Sequence, residues 1–217
     1  SKEAKDIQKR LTDLNFSKQN NPIQNPPKEI INQLENTYNQ RDFLTVIEKT
    51  KALLLQYPET FVLWNVLGAS FTHLGMTDQA VIALNKVLSL NPNHFEAYTN
   101  LGVAFFKQGK FEKAIDVYNK AILLKQDYAM AHSNLGNALQ EIGRYSEAIE
   151  AYKTAIFIEP NYADPYYNMG NALKDQGKLH EAVDAYSKAI SLNPNIPIVY
   201  NNMGNALKDI GKTEEAI

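Results

Sequence analysis

Asn100, Asn134, Asn168 and Asn202 stand 34 residues apart, and Asn137, Asn171 and Asn205 form a second row at the same interval. A carboxamide both donates and accepts hydrogen bonds. A row of them at a regular rise can therefore pair with the backbone of an extended chain whatever its side chains. Asparagine is a mediocre helix former, costing roughly half a kcal/mol against alanine. The same amides can instead bond neighbouring repeats or water, and the residue types alone leave both readings open. Each neutral hydrogen bond contributes only about 0.5–1.5 kcal/mol net, so a complex held this way needs many contacts and is expected to be micromolar.

Other chemistry is missing. The chain has no cysteine, which removes disulfides, thiolate zinc sites and thiol nucleophiles together. His73, His94, His132 and His180 fall at unrelated places, with no metal-binding spacing. His132 takes an aromatic packing position. Ser70, Ser133, Ser146 and Ser187 lack the strand-turn-helix elbow of a hydrolase. No glycine pattern cradles a phosphate. Glu214 and Glu215 read as dipole-favouring residues at a helix start. No catalytic residue, metal site or cofactor site is expected within these 217 residues.

The elements that carry the amides are legible from three further ladders. Gly68, Gly102, Gly136, Gly170 and Gly204 share the 34-residue interval, as do Gly75, Gly109, Gly143, Gly177 and Gly211, and Ala80, Ala114, Ala148, Ala182 and Ala216. Between Ala129 and Tyr162, His132, Leu135, Gly136 and Leu139 recur at helical spacing. Gly143 follows, where a helix ending in a left-handed residue needs glycine. Ala148, Ile149, Tyr152, Ala155 and Ile156 make a second helical run that Pro160 stops. Each unit is therefore helix A, tight turn, helix B and short loop. A mid-helix glycine costs roughly 1 kcal/mol, so Gly136 implies a close crossing by helix B. Ala148 is the matching small surface, where leucine is expected to cost about 1–3 kcal/mol by overpacking.

Composition fits a folded stack and narrows its partners. Hydrophobic residues make up 44% of the chain, and the net charge of −2 gives no pull toward phosphate backbones, so nucleic acid is not expected. No apolar run approaches the roughly 20 residues of a membrane span. The N-terminal SKEAKDIQKRL has no signal-like apolar core, which does not exclude export; the lack of cysteine leaves the compartment open, with a lean toward the cytoplasm. The start without methionine and the stop at Ile217, inside a repeat, read as a fragment of a longer protein.

The Leu-Gly pair, the small-x2-aromatic spacing and the Ala-x6-Ala run before proline in a 34-residue unit resemble the tetratricopeptide repeat. Units 61–94 (Trp64, Leu67, Gly68, Phe71, Ala80, Pro92), 95–128 (Tyr98, Gly102, Phe105, Ala114, Tyr118, Ala121), 129–162 and 163–196 (Tyr166, Gly170, Ala182, Tyr186, Ala189, Pro194) carry it, with a cut sixth unit at 197–217. The resemblance implies an all-α, right-handed α-solenoid of antiparallel helix pairs, with helix A lining a concave face. Segment 27–60 reads as a degenerate first repeat. Leu34, Arg41 and Val46 replace the two glycines and the alanine, while Pro58 closes the unit. Pro165 and Pro197 fall in first turns of helix A, where a missing N–H is tolerated, and Asp164 is placed to cap one of them.

Residues 1–26 stand apart. Ala4, Ile7, Leu11 and Leu14 make a narrow apolar stripe, followed by an Asn/Gln/Pro-rich linker from Asn15. They read as a capping helix or mobile tail, or as a tethered arm that docks on a groove or a neighbouring chain. This arm and the uncapped last repeat make concentration-dependent self-association an expectation.

By the resemblance, helix A positions two, five, six, nine, twelve and thirteen face the groove. That places Asn100, Asn134, Asn137, Asn168, Asn171, Asn202 and Asn205 there. Val103 and Ala69 interrupt the position-nine row. Lys107, Lys174 and Lys208 alternate with Glu141, Asp175 and Asp209 as a mixed, solvated lining, and Tyr167 and Phe106 offer stacking. Trp64, Tyr98, Tyr166 and Tyr200 read as packing residues. The stretch Tyr166–Lys174 is similar to the asparagine-lined superhelix of the O-linked N-acetylglucosamine transferases. The family's carboxylate clamp needs cations that Asn65, Thr99, Ser133, Tyr167 and Asn201 do not supply. The expected function is a protein-interaction scaffold binding an extended peptide or partner protein. The alternatives are a substrate-recruiting arm of a larger bacterial glycosyltransferase or sulfotransferase, and a self-assembling structural scaffold.

Overall fold

The computed structural model describes residues 25–211. The apolar stripe from Ala4 to Leu14 and the Glu214–Glu215 pair lie outside the described residues. Among those residues there are eleven helices: α1 (Lys28–Asn39), α2 (Phe43–Gln56), α3 (Phe61–His73), α4 (Thr77–Leu90), α5 (Phe95–Lys107), α6 (Phe111–Leu124), α7 (Ala129–Glu141), α8 (Tyr145–Ile158), α9 (Ala163–Asp175), α10 (Leu179–Leu192) and α11 (Pro197–Asp209). From α3 onward every second helix starts 34 residues after the last. Each helix packs chiefly on its sequence neighbours, giving an all-α solenoid with no central core.

The turn inside each pair is set by backbone hydrogen bonding. At the end of α7, the Gly143 N–H donates to Gln140 O and the Arg144 N–H to Leu139 O, both at 2.9 Å. This doubly bonded cap requires a left-handed residue, and Gly143 has φ 76°. The first unit makes the same turn without glycine. Arg41 takes φ 61°, its N–H donating to Tyr38 O and that of Asp42 to Thr37 O.

Close helix crossing uses the other glycine row. A Cβ built on Gly102, Gly136 or Gly170 would fall 2.3, 2.5 or 2.6 Å from Cε1 of Tyr118, Tyr152 or Tyr186. In the second unit Leu84 fills that space above Gly68, at 2.7 Å. The first unit inverts the sizes: Leu34 stands where the others have glycine, and Thr50 where they have leucine or tyrosine, both buried. The buried apolar residues form two overlapping bands, one from Leu34 to Val117 and one from Ala114 to Ala206.

Two local expectations need correction. Asp164 does not cap α9. The helix begins earlier, Tyr162 is its N-cap without a side-chain bond, and Asp164 lies inside the first turn. Position five does not uniformly face the groove either: Thr99 and Ser133 are buried, and the Thr99 hydroxyl donates to Phe95 O within its own helix. Ser133 lies instead beside the Tyr162 hydroxyl at the unit boundary.

Candidate functional site

The first helices of the pairs lie side by side, so helix A residues of equal position form rows across α3, α5, α7, α9 and α11. The 34-residue period brings position six of one unit beside position nine of the unit before. Asn168 Nδ2 donates to Asn137 Oδ1 at 2.9 Å, and Asn202 Nδ2 to Asn171 Oδ1 at 3.0 Å. The same two acceptors receive the phenols that cross the glycines: Tyr152 Oη to Asn137 Oδ1 and Tyr186 Oη to Asn171 Oδ1, each at 2.8 Å. Burial pushes the pKa values of Tyr152 and Tyr186 well above the usual phenol range, helped by Glu141 and by Tyr167 and Asp175 respectively. These phenols stay neutral and donate.

The ladder breaks in the third unit. Val103 occupies position nine there, so Tyr118 has no amide to donate to and Asn134 has none in the preceding unit to bond. Neither side chain has a hydrogen-bond partner among the described residues. Asn100 still reaches back, its Nδ2 lying 3.4 Å from Asn65 Oδ1. Tyr118 is buried, and that burial also pushes its pKa strongly upward, keeping the phenol neutral.

At this break the concave face opens into a cavity of about 690 Å³ spanning α1, α3, α5 and α7. Asn39, Asn65, Asn100 and Asn134 supply its amides, while Val66, Ala69 and Val103 supply an apolar floor. Glu35 and Glu96 bring carboxylates, and Tyr128 and Tyr162 bring phenols raised by burial and by acidic neighbours. Lys107 also lines it, its Nζ donating to Thr72 O at 2.8 Å across the unit boundary. Beside it Tyr38, Phe43 and His73 form a ring cluster, with Phe43 and His73 stacked at 4.6 Å. Desolvation first, then Lys107 and Arg41, hold the His73 imidazole below its ordinary value.

Of the residues singled out by sequence, Asn100, Asn134 and Lys107 thus meet in one cavity. Asn137, Asn168, Asn171 and Asn202 lie in the inter-unit ladder. The Tyr167 hydroxyl accepts from Asn202 Nδ2 at 3.2 Å, with its ring against Tyr186. Phe106 packs edge-on against Phe111. Lys174 is half-buried on α9, and Asn205 and Lys208 are exposed on α11. Glu35, Tyr38, Tyr128 and Tyr162 were missed. They come from the degenerate unit and from loop ends, outside the helix A rows that the period picks out.

Among the described residues no cluster of three or more His, Asp or Glu side chains could hold a metal ion, and no helix is long and apolar enough to cross a membrane.

The TPR repeat model matches residues 68–109, 104–143, 140–177 and 170–211. A crystal structure of MamA protein is similar at 32% identity, covering 73% of this chain and 87% of that one, with a TM-score of 0.65. PilW, titled a widely conserved type IV pilus biogenesis factor, shares the fold at 17% identity over 87% and 88% of the two chains, TM-score 0.80. So does TTC0263, a thermophilic TPR protein of Thermus thermophilus, at 18% identity over 83% and 98%, TM-score 0.70. No curated protein matches the chain. With the repeat model spanning most of its length and the helix pairs stacked in register, the chain belongs to the TPR repeat family and is a scaffold for protein interaction.

Proposed function

We propose that the concave groove binds an extended peptide segment, and that it does so at units one to four rather than along the whole array. The observation that carries this reading is the interruption at Val103. Beyond it, Asn137 and Asn171 are occupied by neighbouring tyrosines and asparagines. At the interruption, Asn134 bonds no other side chain among the described residues and faces the 690 Å³ cavity. A peptide backbone satisfies such an amide, and an apolar side chain fits over Val66, Ala69 and Val103. Few direct bonds are on offer, so affinity is expected in the micromolar range.

The test is a peptide selected from a random library on the intact protein and then titrated calorimetrically. Asn134→Ala weakens it at least fivefold. Asn168→Ala leaves it within twofold, since that amide serves the inter-unit ladder. Equal affinity for the intact protein and Asn134→Ala would remove the assignment.

A further inference from the structure

The outer side of the first two units carries a second cleft that shares no residue with the concave cavity. It has a volume of about 480 Å³ and lies between α2 and α4, over α3. Leu54, Leu55, Trp64, Phe71 and Ile82 line it, with Lys51 at the edge. The corresponding cleft between α8 and α10 is smaller, about 280 Å³, and edged by Lys153, Glu181, Asp184 and Lys188. The difference is written in one position. Asp116, Glu150 and Asp184 stand 34 residues apart, and Ile82 takes their place in the second unit. Ile82 is 69% exposed and Leu55 87% exposed. An apolar cleft flanked by two exposed branched side chains, one of them at the place where three sister units carry an acid, is a surface that gains free energy by being covered.

We propose that residues 4–14 of this same chain cover it, with Ile7, Leu11 and Leu14 lying against Leu55 and Ile82. Twenty-four residues precede Asn25, where the described chain begins. They hold an apolar stripe, Ala4, Ile7, Leu11 and Leu14, with Lys5, Asp6, Lys9 and Asp13 left for the opposite side. The intervening residues 15–24 span up to roughly 33 Å when extended. They are tethered to the first unit, which itself forms one wall of the cleft. Tethering supplies an effective concentration of about a millimolar, so a small apolar contact suffices. A second copy would have no such advantage. The sister cleft farther along the array has charged edges and does not suit an apolar stripe.

The absence of native cysteine makes the test clean. In the full chain, Leu11→Cys with Ile82→Cys is expected to form a disulfide under mild oxidation while remaining monomeric on a non-reducing gel. It should do so at least tenfold faster than Leu11→Cys with Asp184→Cys. Cross-linked dimers as the main product, or no preference between the two positions, would overturn docking in cis. Ile82→Asp provides an independent check, because acids occupy that place in three other units and the fold tolerates them. Trypsin is expected to cut after Lys9 and Arg10 at least fivefold faster in this variant at unchanged helix content, with a red shift of Trp64, the sole tryptophan. Unchanged cleavage and emission would refute the proposal.

Discussion

Gly136 and Tyr152 occupy one volume between them: a Cβ on the glycine would lie 2.5 Å from Cε1 of the tyrosine ring. The ring is fully buried and its hydroxyl is tied to Asn137, so it cannot swing away without breaking that bond. Gly136→Ala would gain about 1 kcal/mol of helix propensity. Overpacking costs about 1–3 kcal/mol in a well-packed core, and here the clashing atoms belong to a ring held at both ends, so the clash wins. Urea denaturation is expected to show net destabilisation. The first unit's Leu34 and Thr50 suggest the compensation: Gly136→Leu with Tyr152→Thr should be less unstable than Gly136→Leu alone.

Arg41 adopts a left-handed conformation, φ 61°, that the other units give to glycine. A side chain there costs roughly 1 kcal/mol, of which the greater freedom of unfolded glycine returns part. Arg41→Gly is therefore expected to raise the stability of the first unit by about 0.5–1 kcal/mol, read as a higher Tm. Gly143→Ala should lower it by a similar amount although nothing lies within 4 Å of the added Cβ. Equal Tm values for all three proteins would show that these turns relax freely.

The period made the architecture readable, because each glycine and alanine of a row must solve the same packing problem. It could not tell the two asparagine rows apart from a ligand-binding wall. Asn137 and Asn134 look alike in sequence, yet one accepts from Tyr152 and Asn168 while the other has no partner among the described residues. That difference depends on which side chains cross at a unit boundary, and on Val103, a single departure from the repeat. The first unit was the least legible. Arg41 gave no sign that its backbone would imitate glycine, and Tyr38, Phe43 and His73 meet only through the turn it makes. Asp164 misled because an Asp-Pro pair reads as a helix start, whereas the helix already begins at Ala163, at the same place in the repeat as its sister helices.

The His73 ring gives the first-unit junction a pH dependence whose sign is fixed. Its folded value is depressed, by desolvation first and then by Lys107 and Arg41, while the unfolded imidazole titrates near about 6.5. Between those values the unfolded chain binds more protons, so stability rises with pH through that window. The contribution is complete above about 6.5 and is lost as the pH falls through the lower folded value. The Tm of the protein is expected to drop between about pH 7 and pH 5. His73→Phe, which keeps a ring on Phe43, should flatten that part of the curve. An identical slope in both proteins would assign the titration elsewhere.

Asn137 is where the ladder can be measured as an energy. Its carbonyl oxygen accepts from Tyr152 and from Asn168, and Gln140 Oε1 offers the phenol an alternative at 3.1 Å. Valine is a fair replacement because Val103 holds this place in the third unit. Asn137→Val removes one shared acceptor and leaves the Asn168 amide without its partner, which is expected to cost about 1–2 kcal/mol. The alternative acceptor keeps the loss below that of an orphaned phenol. Asn168→Val removes only the donor, leaves the Tyr152 bond intact and should cost less. If the two amides act as a pair, the double variant falls short of the sum by about 0.5–1.5 kcal/mol, a coupling that denaturation curves resolve. Strict additivity would mean that the Asn137–Asn168 bond adds nothing beyond what water supplies, and that these asparagines are as available to a ligand as Asn134.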